Sequence, residues 1–185
     1  MRTYISILRG INLGGHNTIK MDNLKKLLSN NGLSNVETYI QSGNVVYQYK
    51  NTDTKKLDSL IKENIFQEFG FDVPVITLTI EELKKIAENN PFSSKKMKDP
   101  SFFHVTYLTD TPQPENLSKI KDINYQPDEF VVLDKTVYLY CPEGYGNTKL
   151  SNKFLENKLK VTATTRNWKT TNELIAIADK VNDKL

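Results

Sequence analysis

Val36-Glu37-Thr38-Tyr39-Ile40-Gln41 and Val45-Val46-Tyr47-Gln48-Tyr49 flank the tripeptide Ser42-Gly43-Asn44. Two β-rich runs around a short Gly-Asn segment predict a hairpin, because glycine and asparagine tolerate the positive φ that a tight turn requires. The segments on either side supply the rest of a unit. Upstream, Thr3–Leu8 alternates with partly apolar residues on both faces, the pattern of a central strand. A glycine-rich stretch, Arg9–Asn17, then leads to a helix over Met21–Asn31 with Leu24, Leu27 and Leu28 as its buried stripe and Gly32 behind it. Downstream, Asp53 caps a helix carrying Leu57, Leu60, Ile61, Ile65 and Phe69, Gly70 ends it, and Val73–Thr77 reads as a closing strand.

The order is βαββαβ, the ferredoxin-like plan. After it, Thr79-x-x-Glu82 is a capping box for a connecting helix that Asn89-Asn90-Pro91 stops, and Pro91–Ser101 reads as a lysine-bearing loop. The pattern then repeats. Phe103–Leu108 lies over Thr3–Leu8, Phe130–Leu133 and Thr136–Tyr140 over the first hairpin, and Val161–Thr165 over Val73–Thr77. Between them, Asn147 is expected to cap a helix with Leu150, Phe154, Leu155 and Leu159, and Thr170-x-x-Glu173 to cap a final one. The expected fold is α+β: two tandem ferredoxin-like subdomains from an internal duplication, with an extra C-terminal helix. The expected divisions are 1–78, a connecting helix and loop over 79–101, and 102–185.

Composition narrows the function classes. The 185 residues hold 25 basic and 22 acidic side chains, a net charge of +3. That is too mild to imply a nucleic-acid or membrane partner by itself. The longest apolar runs, such as Val137–Cys141, fall far short of a membrane span. A lone cysteine, Cys141, excludes an internal disulfide and a cysteine-based zinc site. With a strand-like start and no signal-peptide profile, the expected location is cytoplasmic.

Two placements point to a site. Gly10, Gly14 and Gly15 are three of eight glycines and share one strand-to-helix loop, where backbone N–H groups can turn toward an anion. The spacing is neither G-x-G-x-x-G nor a Walker A loop, and a loop using glycine for tight turns accounts for it equally. Only Arg2, Arg9 and Arg166 among the 25 basic residues are arginine, and Arg9 opens the glycine loop. The planar guanidinium fork suits carboxylate or phosphate, or a structural bridge between subdomains. In the expected topology the end of the first strand and the hairpin tip share one rim. Arg9, Gly10 and Asn12 should therefore meet Ser42, Gly43 and Asn44. No catalytic set emerges: His16 and His104 lack a matching carboxylate pattern, Ser42 is not in a nucleophile elbow, and Cys141 reads as a buried thiol.

The segments Leu8-Arg9-Gly10-Ile11-Asn12-Leu13-Gly14-Gly15, Lys20-Met21, Thr38-Tyr39-Ile40-Gln41-Ser42-Gly43-Asn44-Val45-Val46 and Thr164-Thr165-Arg166-Asn167-Trp168 resemble the signature of the domain of unknown function 1697 family. Phe69-Gly70-Phe71-Asp72-Val73-Pro74 and Asn90-Pro91-Phe92 fit as well. The resemblance runs along essentially the whole chain. It implies bacterial-type cytoplasmic proteins of two similar α+β subdomains, and it carries no activity to transfer.

Three readings follow. In the first, a small anionic ligand is bound by Arg9, Gly10, Gly14 and Gly15 and oriented by Asn12, Ser42, Gly43 and Asn44, with Arg166 and Asn167 closing the pocket. It names no catalytic residue, metal or cofactor, and binding outweighs catalysis because no general base is in view. In the second, single-stranded nucleic acid stacks on Tyr4, Tyr47 and Tyr49 of an open sheet. In the third, the signature loops serve a protein-interaction module, with Arg9 and Arg166 paired to protein groups and no open cavity. Membrane partners are not expected, and the pattern fixes no oligomeric state.

Overall fold

The computed structural model describes residues 1–183. The chain forms two compact units, Met1–Lys85 with the segment from Glu173 onward, and Ile86–Asn172. Together they hold two four-stranded antiparallel sheets and, among the described residues, six α-helices.

In the first unit β1 (Arg2–Leu8), α1 (Met21–Asn30), β2 (Ser34–Tyr39), β3 (Asn44–Tyr49), α2 (Thr54–Phe69) and β4 (Val75–Thr79) follow in that order. The sheet order is β2-β3-β1-β4, so the central strand is β1, buried from Thr3 to Leu8. Tyr4, Leu8, Val45 and Tyr47 on one face pack with Leu24 and Leu28 of α1 and Leu57, Ile61 and Ile65 of α2. On the opposite face, Gln48 Nε2 donates to the Val181 carbonyl at 2.9 Å and Thr3 Oγ1 to Asn182 Oδ1 at 3.1 Å. Sheet residues are thus covered on both sides. Local signals act as expected here. Asp53 accepts from the Lys55 amide, and Gly70 ends α2 at φ 79°. Thr79 and Glu82 exchange backbone-to-side-chain hydrogen bonds at the start of α3 (Ile80–Glu88).

The second unit continues with β5 (Phe103–Leu108), α4 (Pro114–Lys121), β6 (Glu129–Leu133), β7 (Thr136–Tyr140), α5 (Asn152–Leu159) and β8 (Ala163–Asn167), in the sheet order β6-β7-β5-β8. Leu108, Val137, Leu139 and Ala163 form its core with Ile120 of α4 and Leu155 and Leu159 of α5. The last helix, α6 (Trp168–Asn182), starts in this unit, and its residues from Glu173 onward belong to the first.

Several boundaries differ from the sequence reading. Ser151, not Asn147, caps α5 by accepting from the Phe154 amide, and Asn147 lies in a short 3-10 turn instead. Asn167, not Thr170, caps α6, its Oδ1 accepting from the Thr170 amide at 2.8 Å. In both cases the cap is the residue directly ahead of the helix, while Thr170 already lies within α6, because capping requires the side-chain oxygen to reach the amides two or three residues on. Both closing strands begin two residues later than expected. The segment before each still bonds to the residue just past its neighbouring strand, β1 or β5: the Arg9 amide donates to Pro74 O and the Thr109 amide to Thr162 O.

Candidate functional site

The loop between β1 and α1 is anchored at both ends. The Leu8 amide donates to the Gly43 carbonyl at 2.8 Å, so the end of β1 and the β2–β3 turn share one rim. Within the loop, the Asn12 amide donates to Asn17 O and the His16 amide to Leu13 O. Gly14 and Gly15 stand between at φ 57° and 81°. Two positive-φ residues inside an i to i+3 hydrogen bond make a type I′ turn. The glycine stretch is thus a miniature hairpin, and Gly14 and Gly15 are there because that turn needs left-handed residues. A Cβ at either would meet nothing within 4 Å, so no packing demand accounts for them.

Asn12 holds this hairpin against the neighbouring turn. Its Nδ2 donates to Ile19 O at 2.9 Å and Gln41 O at 2.8 Å, and its Oδ1 accepts from the Ile19 amide at 2.8 Å. Asn44 is fully buried, with Nδ2 donating to Tyr39 O and Ser42 Oγ. Gly43 sits so close to the loop that a Cβ would lie 2.7 Å from Ile11 Cδ1 and 2.8 Å from Leu8 Cβ. Arg9, Gly10 and Asn12 are therefore brought together with Ser42, Gly43 and Asn44. Arg9 is half-buried and engaged with other groups of the molecule.

Arg166 and Asn167 lie in the second unit, on β8. Arg166 is only 9% exposed, and its Nη1 donates to Thr164 Oγ1 at 3.1 Å and Thr165 O at 2.9 Å. Burial brings its pKa down to about 10, opposed by Tyr107 and Tyr145, so the group stays charged at neutral pH. Asn167 is exposed and caps α6.

Two residues the sequence reading passed over stand out on the rim. Leu13, at the corner of the type I′ turn, is 64% exposed, and Ile40, beside the β2–β3 turn, is 49% exposed. The turns that carry them meet, since Asn12 and Gln41, next to them in sequence, share a hydrogen bond. Ile40 adopts φ 49°, where a β-branched side chain is strained. The available signal was an isoleucine directly ahead of Gln-Ser-Gly, one residue too near the turn to be an ordinary strand position.

Polar side chains also line the interior of each sheet. In the first unit Ser6 Oγ bonds Thr77 Oγ1 at 2.7 Å and Tyr47 Oη at 2.9 Å, and Thr77 hydrogen-bonds the carboxylate of Asp58 on α2. Desolvation pushes Asp58 up to about 6, against the pull of Thr77, and its Oδ1 has no hydrogen-bond partner. In the second unit Thr106 Oγ1 bonds Thr165 Oγ1 at 2.7 Å, Thr165 donates to Asn152 Oδ1 at 2.7 Å, and Tyr145 donates to Thr165 at 3.0 Å. His104 stacks on Tyr145 with ring centroids 4.9 Å apart, its Nδ1 faces Phe102 O, and burial lowers its pKa. Among the described residues no group of three or more metal-ligating side chains occurs, and no helix is long and apolar enough to cross a membrane.

Comparison with known proteins adds a family and a fold. The family model described as "Protein of unknown function (DUF1697)" matches residues 1–138. A solved structure of the conserved bacterial protein SP0830 from Streptococcus pneumoniae is similar, with a TM-score of 0.74 and 24% sequence identity over 96% of this chain and 98% of that one. At that identity the likeness speaks for the fold alone. No functionally curated protein matches the chain.

Proposed function

The chain belongs to the DUF1697 family, and we propose that it is a protein-interaction module that docks through the rim of its first unit. The observation that carries this reading is the pair of exposed apolar tips, Leu13 and Ile40, one of them held in a strained backbone conformation. Asn12 and Asn44 spend their polar groups on bonds within the loops. Asn12, Ser42, Gly43 and Asn44 fix the shape of the two turns, and Arg166 is bonded within its own unit. Residues 9–21 and 38–49 contain Arg9 and Lys20 and no carboxylate. The partner this suits is a protein with an apolar socket bordered by carboxylates, since complementary charge sets orientation and apolar anchors supply affinity. Stacking of bases on the sheet is disfavoured, because Tyr4 and Tyr47 have no exposed surface.

We also read each sheet as a ferredoxin-like unit and the pair as a duplication, with repeat boundaries at 1–78 and 102–185 around a connector. The matching orders β2-β3-β1-β4 and β6-β7-β5-β8 support this, as do the hydroxyl pairs Ser6/Thr77 and Thr106/Thr165 at equivalent cross-strand positions. A cytoplasmic setting goes with this reading.

The test places a photoreactive residue at position 13 in cells. A discrete protein adduct is expected, lost on Ile40→Asp with the melting temperature preserved. The same probe at exposed Phe66 on α2 is the control. Equal labelling from both positions, or an Arg9-dependent thermal shift with nucleotides or sugar phosphates at the rim, would replace docking with the anionic-ligand reading.

A further inference from the structure

The second unit carries a hollow of about 330 Å³ lined by Pro100, Ser101, Asn167, Trp168 and Lys169. Its size falls at the lower end of small-ligand pockets, which run from roughly 300 to 1,000 Å³. Its walls are mostly apolar, with a few polar groups at the edge. Trp168 is half-buried and packs edge-on against Phe103, with centroids 6.3 Å apart at 69°. The indole is thereby anchored by the core while it contributes to the wall. Asn167 has its Oδ1 committed to the Thr170 amide, which orients the side chain and leaves Nδ2 as the donor end. Lys169 and Ser101 are exposed and supply a cation and a hydroxyl.

We propose that this hollow binds a small planar aromatic ligand bearing one anionic group, of the nucleoside monophosphate class. The ring stacks on Trp168, as bases do on exposed indoles, because every base has a π-face and the contact tolerates differences in sequence. Lys169 pairs with the phosphate, and Asn167 Nδ2 and Ser101 Oγ hydrogen-bond the sugar or phosphate oxygens. A wall with one aromatic and one cation selects for both parts of such a ligand together. The site lies wholly within Ile86–Asn172 and owes nothing to the rim of the first unit.

Trp168 is the chain's single tryptophan, so its fluorescence reports on this hollow alone. The full-length protein is titrated with adenosine monophosphate, adenosine and ribose 5-phosphate. Saturable quenching by the monophosphate is expected, weakened about tenfold in Lys169→Ala, with adenosine binding more weakly and ribose 5-phosphate causing no quenching. Lys169 is exposed, so the variant should fold, and its far-UV circular dichroism checks that. The proposal is overturned by absence of saturable quenching at millimolar monophosphate, or by equal affinity in wild type and Lys169→Ala. Ribose 5-phosphate displacing the monophosphate at equal concentration would overturn the aromatic half of it.

Discussion

The two sheets use the same hydroxyl pair in different company. Ser6 stands opposite Thr77 in the first, and Thr106 opposite Thr165 in the second. In the first, the helix packed behind the pair offers a carboxylate, Asp58. In the second it offers an amide, Asn152. A carboxylate can only accept, which orients the first chain of bonds from Tyr47 through Ser6 and Thr77 toward Asp58. The amide makes no such electrostatic demand, and there the hub is Thr165, which donates once and is met by Tyr145 and Thr106. The difference extends one step along the central strands, where Tyr4 and His104 are equivalent. Tyr4 Oη bonds both the amide and carbonyl of Thr52, whereas His104 stacks beneath Tyr145. The two sheets share the geometry of the polar pair and differ in its titratable neighbours.

Four variants sharpen that contrast. The largest effect is expected at the hub. Thr165→Val strands three polar partners at once and should cost about 3 kcal/mol in urea unfolding, while Ser6→Ala, with two partners, should cost about 2 kcal/mol. Equal losses would mean the two networks are energetically alike. Next comes Asp58→Asn. Because its folded pKa of about 6 lies above the ordinary 3.8, the native state holds the proton more tightly, and stability falls as pH rises through that window. The variant should remove the fall and gain about 1 kcal/mol at neutral pH, read as a pH series of urea midpoints. The smallest effect is expected for His104→Gln. Burial lowers the folded pKa below 6.5, so wild type loses stability as pH falls through that value, and the variant should not. The two slopes oppose each other, so only the single variants separate them.

The rim shows how far the sequence could be read. Placing Arg9, Gly10 and Asn12 beside Ser42, Gly43 and Asn44 needed only element order and the neighbour rules of an antiparallel sheet. Assigning those residues a ligand role needed more. Gly14 and Gly15 fit an anion cradle and a type I′ turn equally on paper, and the bond from the His16 amide to Leu13 O identifies the turn. The caps of the second unit were misplaced because Asn147 and Ser151 are both competent cap residues, and the chain's path into α5 selected Ser151.

Alternation, helical spacing and local punctuation, such as Asp53, Gly70 and the Thr79/Glu82 box, settled the kinds and sequence of elements without outside help, because each acts within a turn or two of chain. Which polar atoms face water and which are consumed was decided by long-range contacts. Asn12 reaches a carbonyl 29 residues away and Ser6 a hydroxyl 71 residues away. Side-chain chemistry is written locally, but its availability depends on what the fold packs against it.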